Sequence, residues 1–133
     1  MKINKRLPGL ALDRTLAVLS GRWKANILHA LLDGAQRTRE LEKRIVGISQ
    51  KMLIEQLRVL EEHGLVSRQA SSDDRQGIEY FLTPLGESLR PVLRSLDEWG
   101  THHAEELHER DKLLPCEAVV RERELHLLRS EAC

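Results

Sequence analysis

Aromatic residues are scarce in this 133-residue chain, which has one phenylalanine, one tyrosine and two tryptophans. Its core must therefore be made mainly of leucine, isoleucine and valine. The two cysteines, Cys116 and Cys133, both lie in the last fifth of the chain, which excludes a disulfide framework and a thiolate zinc cage. No run of about 18 apolar residues exists, so no membrane-spanning helix is expected. The basic stretch from Met1 to Arg6 and the apolar stretch from Leu7 to Leu12 faintly imitate a signal peptide, but Asp13 and Arg14 cut the apolar part too short. A cytoplasmic location is expected. A Gly-rich phosphate loop, a nucleophile elbow and an acid pair beside a base are all missing, so neither an enzyme nor a bound cofactor is expected. Internal repeats and low-complexity tracts are also lacking.

What is present fits one soluble globular domain: 41% of residues are hydrophobic and 32% charged. The net charge of zero conceals an asymmetry. Through Arg58 there are 12 bases against 5 acids, a net +7, and the remainder carries −7. A basic segment attracts a phosphate backbone, whereas an acidic one is repelled and should point away from it.

Leu12, Leu16 and Leu19 space as a short first helix ending at Ser20-Gly21. Trp23, Ile27, Ala30 and Leu31 give a second, closed by Asp33 with Gly34 at the left-handed exit position. Thr38 opens a third segment with Leu41, Ile45 and Val46 inward and Glu40, Glu42, Lys43 and Arg44 mostly outward, and Gly47 ends it. Ser49 is the expected N-cap of a fourth helix running to about His63. In that helix Leu53, Leu57 and Leu60 recur at i, i+4 and i+7, one buried stripe, while Gln50, Lys51, Ile54, Glu55, Gln56 and Arg58 fall off it. A helix in the major groove needs that division, with apolar anchors behind and hydrogen-bonding side chains in front.

Leu65-Val66-Ser67-Arg68 alternates as a strand, Ser71 to Gly77 is turn chemistry and Ile78 to Leu82 is a second strand. This hairpin is a wing. The expected fold is mainly α with a small β-hairpin (α+β), a winged helix-turn-helix spanning residues 10–83 after an arm over 1–9. Thr83 and Pro84 are a good N-cap and first residue for a long C-terminal helix, in which Leu85, Leu89, Val92, Leu96 and Trp99 form a heptad-like seam seeking a partner. Pro91 should bend this helix, since its ring crowds the carbonyl of Glu87. A dimerisation region over residues 84–114 and a charged extension over 115–133 complete the organisation.

Gly21-Arg22-Trp23-Lys24, Gly47-Ile48-Ser49-Gln50-Lys51-Met52-Leu53, the run from Leu57 to Val66, the run from Glu79 to Gly86, and Trp99-Gly100 follow one another in register. Over about residues 10 to 100 the chain resembles the HxlR-type family of winged helix-turn-helix bacterial transcriptional regulators. The resemblance implies a homodimer that binds an inverted repeat in double-stranded promoter DNA, as a repressor or activator answering a chemical signal; repression is the expected sense. Two departures stand out. Relatives that sense electrophiles or oxidants do so with a cysteine ahead of the first helix, where this chain has Arg6-Leu7-Pro8-Gly9-Leu10-Ala11. Thr38 also stands where the family tends to have an aromatic residue, and the wing is Asp-rich, with Asp73 and Asp74 opposing deep insertion of its tip into a groove.

Gln50, Lys51 and Gln56 are the base-edge candidates, because Gln suits adenine and Lys suits guanine, and Ile54 can meet a thymine methyl. Arg37, Thr38, Arg39, Ser49 and Arg58 are the phosphate candidates, with Arg58 equally able to pair with Glu55, Glu61 or Glu62 on its own helix. Arg68 and Arg75 are the wing's bases. Leu12, Leu16, Leu89, Val92, Leu96 and Trp99 are the expected subunit interface, and Trp23 belongs to the core. His102, Glu106 and Glu109 share a helical face, but without a tight His pair a solvated face is expected rather than a metal site; Cys116 is expected to be an inert thiol. A small-molecule effector between the DNA-binding and dimerisation parts is the expected means of regulation. The competing readings are a winged-helix protein-interaction module without DNA binding, and a metal or redox sensor using the His-rich helix or Cys116.

Overall fold

The computed structural model describes residues 7–71 and 77–113. Helix α1 (Ala11–Leu19) is followed by α2 (Lys24–Leu31), a two-residue strand β1 (Gln36–Arg37), α3 (Thr38–Arg44) and α4 (Gln50–Glu62). The hairpin β2 (Val66–Ala70) and β3 (Ile78–Leu82) comes next, then α5 (Pro84–Glu87), α6 (Arg90–Glu106) and a short 3-10 turn, Arg110–Lys112. The sheet has the order β1-β3-β2 and both pairings are antiparallel. Tyr80 stands opposite Gln36 on one side and Arg68 on the other.

The core lies where α2, α3 and α4 meet the sheet. Among the described residues Ile27, Leu28, Leu31, Leu41, Leu53, Leu57 and Leu60 are the largest fully buried side chains, so the expected leucine-rich stripe of α4 does face inward. Burying each such side chain contributes about 1.5–3 kcal/mol, which anchors α4 from behind. Its ends are capped as the residue types dictate. Ser49 Oγ accepts from Met52 N at 3.1 Å. At the other end Leu65 N donates to Leu60 O and Gly64 N to Glu61 O, with Gly64 at φ +80°, a left-handed stop that glycine adopts without strain.

β1 was not foreseen in the sequence. It closes the sheet's third position, and the buried Gln36 satisfies its amide by donating to Ala30 O at 2.6 Å. The first wing strand runs from Val66 to Ala70 rather than from Leu65 to Arg68, because the ladder continues through Gln69 opposite Glu79 and Ala70 opposite Ile78. Val46, expected inward, is 45% exposed. Helix α3 stops at Arg44 and Ile45 turns extended, so helical spacing no longer applies, and Ile48 fills the interior instead.

The single long C-terminal helix is two helices. Thr83 caps the first as expected, accepting from Gly86 N at 3.0 Å, but α5 ends at Glu87 and α6 begins at Arg90. Proline is tolerated in a first turn, where its missing N–H has no intrahelical acceptor, and Pro91 takes the second position of α6. Leu93 is buried, Leu89 packs half-buried against the subunit's own core, and Val92, Leu96 and Trp99 remain exposed.

Candidate nucleic-acid interface

Seen from its outer face, α4 presents Gln50, Lys51, Glu55 and Arg58 exposed, while Ile54 and Gln56 are half-buried. Gln56 is less outward than expected, with its amide nitrogen 3.7 Å from Met52 Sδ, a long contact to a weak acceptor. No acidic residue stands in the first turn of α4, and Ser49 is exposed there, so the positive end of the helix dipole is not neutralised. Arg58 forms no ion pair among the described residues, leaving its charge outward rather than on Glu55, Glu61 or Glu62.

Two of the expected phosphate-binding or wing arginines carry intramolecular contacts. Arg37 Nη2 donates to Ser71 Oγ at 2.9 Å, at the mouth of the hairpin, and Arg37 N donates to Glu40 Oε1 at 2.8 Å, starting α3. Arg68 Nε meets Glu61 Oε2 at 3.0 Å, joining β2 to the last turn of α4. Both contacts link the wing to the helix-turn-helix and fix its inclination. Arg39 is exposed and Thr38 half-buried at the start of α3. Arg75, Asp73, Asp74, Cys116 and Cys133 lie outside the described residues, as do the arm's first six residues and the C-terminal extension.

Behind α4, Trp23 is half-buried, and its Cη2 lies 3.7 Å from where a Cβ on Gly47 would stand, in the turn between α3 and α4. Arg22 covers its ring, with Cζ 4.6 Å from the centroid. Sequence reasoning placed Trp23 in the core and did not pair it with Arg22, although an arginine next to a tryptophan at a helix start is a legible sign of such stacking. At the far end of α4, His63 has both ring nitrogens buried without a hydrogen-bond partner. Burial pushes its pKa down, Lys24 and Arg14 push it the same way, and Glu62 opposes them.

Ten large apolar side chains are exposed among the described residues, five of them on α1 and α6: Leu12 is 73% exposed, Leu16 57%, Leu96 49%, Trp99 63% and Val92 37%. Trp99 stacks on His103 with ring centroids 4.9 Å apart. Between the end of α2 and α6 lies a cleft of about 400 Å³ lined by His29, Leu32, Asp33, Arg90 and Arg94 among others. Arg90 bridges it, donating to Leu32 O at 3.0 Å while paired with Glu87. Among the described residues no three metal-binding side chains converge, and no helix is long and apolar enough to cross a membrane.

The HxlR-like helix-turn-helix family matches residues 18–108. The HTH-type transcriptional regulator YkvN of Bacillus subtilis is 47% identical over 92 residues, covering 69% of this chain and 78% of its own length. Among solved structures, the redox regulator HypR in its reduced form superposes with a TM-score of 0.68 at 33% identity, covering 74% of this chain and 98% of that one. The reduced form of YodB from B. subtilis gives 0.63 at 33% identity, over 72% of this chain and 94% of that one. With an outward polar helix seated on a leucine stripe, a wing tied to it and a family match over most of its length, the chain belongs to the HxlR-like helix-turn-helix family of DNA-binding transcriptional regulators.

Proposed function

We propose that the protein acts as a homodimer on an inverted-repeat operator, as a repressor, with α4 of each subunit reading one half-site. The carrying observation is the division of α4: three leucines with almost no exposure on one side, and Gln50, Lys51 and Arg58 exposed on the other. Gln50 and Lys51 read base edges, with Ile54 and Gln56 beside them. Ser49, Thr38, Arg39 and Arg58 hold phosphates, and Arg37 and Arg68 brace the wing that carries Arg75. A regulator of this kind works in the cytoplasm.

Residues 10–83 form the reading part and 84–114 the pairing part. Dimerisation is supported by the exposed apolar set on α1 and α6, which contributes nothing to its own subunit's core and would be covered by a second copy. A two-fold pair places the recognition helices about 34 Å apart, or a multiple of that. The cleft between α2 and α6 supports regulation by a small molecule, because a ligand there would alter the angle between the two parts.

Replacing Gln50 and Lys51 together by alanine tests the reading. Specific binding should fall toward that of random duplex, by about 1–3 kcal/mol for each lost base contact, while sedimentation still gives a dimer. Equal loss for specific and random duplexes would remove the base-reading role. A parent protein that binds no duplex would point to a protein-interaction module instead.

A further inference from the structure

Several arginines around the helix-turn-helix have an intramolecular hydrogen-bonding partner, whereas Arg39 and Arg58 are exposed without an ion pair among the described residues. Arg44 pairs with Asp33, Arg68 with Glu61, Arg90 with Glu87, and Arg37 is bonded to Ser71. Arg22 differs. It is exposed, no carboxylate meets it among the described residues, and its contact is the face of Trp23. A guanidinium held by an aromatic face keeps its fork of N–H donors for a ligand, and its charge stays uncompensated.

Its position decides which ligand. The edge of the Trp23 ring faces the turn at Gly47, 3.7 Å from where a Cβ there would stand, and Ser49, two residues on, caps the end of α4 that a helix-turn-helix turns toward the groove. Arg22 thus sits across the Trp23 ring from the turn that leads into α4, a helix whose first turn holds no acid. The anion that a duplex brings to the rim of that groove is a backbone phosphate, whose paired oxygens suit the guanidinium fork.

We propose that Arg22, stacked on Trp23, is a phosphate-contacting residue of the DNA-binding surface, with Trp23 as its positioning residue. The closeness of Trp23 to the α3–α4 turn couples this clamp to the seating of α4, so that the arginine grips the strand flanking the groove that α4 enters. The inference rests on the DNA-reading function proposed above and adds to it a contact outside both the recognition helix and the wing.

The test uses the full chain with a random-sequence duplex and with an operator duplex, followed by fluorescence anisotropy between 50 and 200 mM salt. In a dimer Arg22→Gln removes two contacts, so the log–log salt slope should become shallower by about 1.8, from about 0.9 per phosphate. The variant's affinity deficit should then shrink by about tenfold across that salt range, equally for both duplexes, because a phosphate contact carries no sequence information. Arg22→Lys should keep the slope near the parent's. Urea midpoints recorded without DNA control for folding, and should Arg22→Gln unfold, Arg22→Lys against Arg22→Met gives the same comparison. A parental slope and affinity in the charge-removing variant, while the parent binds DNA, overturns the clamp alone. A parent that binds neither duplex overturns the clamp together with the DNA-reading function.

Discussion

Gly86 offers the sharpest stability prediction. It is buried in α5, and a Cβ there would lie 2.2 Å from the Leu65 carbonyl oxygen, 3.1 Å from its carbon and 3.2 Å from Leu82 Cδ2. The first two obstacles are backbone and cannot swing aside. That oxygen also accepts from Thr83 N at 3.0 Å, so moving it strains the bond that joins the start of the wing to the entrance of α5. Overpacking of this kind costs about 1–3 kcal/mol, and weakening the hydrogen bond adds about 1 kcal/mol. Alanine's better helix propensity returns up to about 1 kcal/mol. Gly86→Ala should therefore destabilise the fold by about 2 kcal/mol, lowering the urea midpoint by about 1 M for a slope near 2 kcal/mol/M. The comparison must be made at one protein concentration, because association shifts apparent stability. A midpoint unchanged from the parent's would refute the close packing of α5 on Leu65, and with it the reason for a glycine there.

Ser49→Ala removes the acceptor for Met52 N and should cost about 1 kcal/mol, read as a lower urea midpoint with unchanged slope. His63 gives a pH dependence: its folded pKa lies below the ordinary 6.5, so the unfolded chain takes up the proton first. Stability is then full above about pH 6.5 and declines as pH falls from there toward the folded value, with a slope of at most one proton. His63→Gln should remove that component, and identical pH profiles for parent and variant would contradict it. Leu96→Glu places a charge in the exposed apolar set of α6 and should yield a monomer by sedimentation; a persistent dimer would take α6 out of the interface.

The parts of the fold that were legible in the sequence are those governed by local rules. The stripe of Leu53, Leu57 and Leu60, the caps Ser49 and Thr83 and the hairpin between Val66 and Leu82 each depend on residues a few positions apart. β1 was not legible, because two residues carry no periodicity and its pairing with β3 spans more than forty positions. The break between α5 and α6 was half visible: Pro91 announced a disturbance, but bending and restarting differ only in which turn the proline occupies. For the interface, the outward residues of α4 followed from its period. The ties of Arg37 to Ser71 and Arg68 to Glu61 did not, since an arginine's chemistry serves a phosphate, a hydroxyl or a carboxylate equally and only the fold selects among them.

The central claim is that paired copies present α4 to duplex DNA, and the salt dependence of binding tests it most directly. Inverted repeats flanking the gene are titrated with the dimer between 50 and 200 mM salt. A reader contacting about 6–10 phosphates loses about 10³–10⁵ in affinity over that range while keeping its preference over scrambled duplex. Failure to bind any of these duplexes at 50 mM salt would contradict the account.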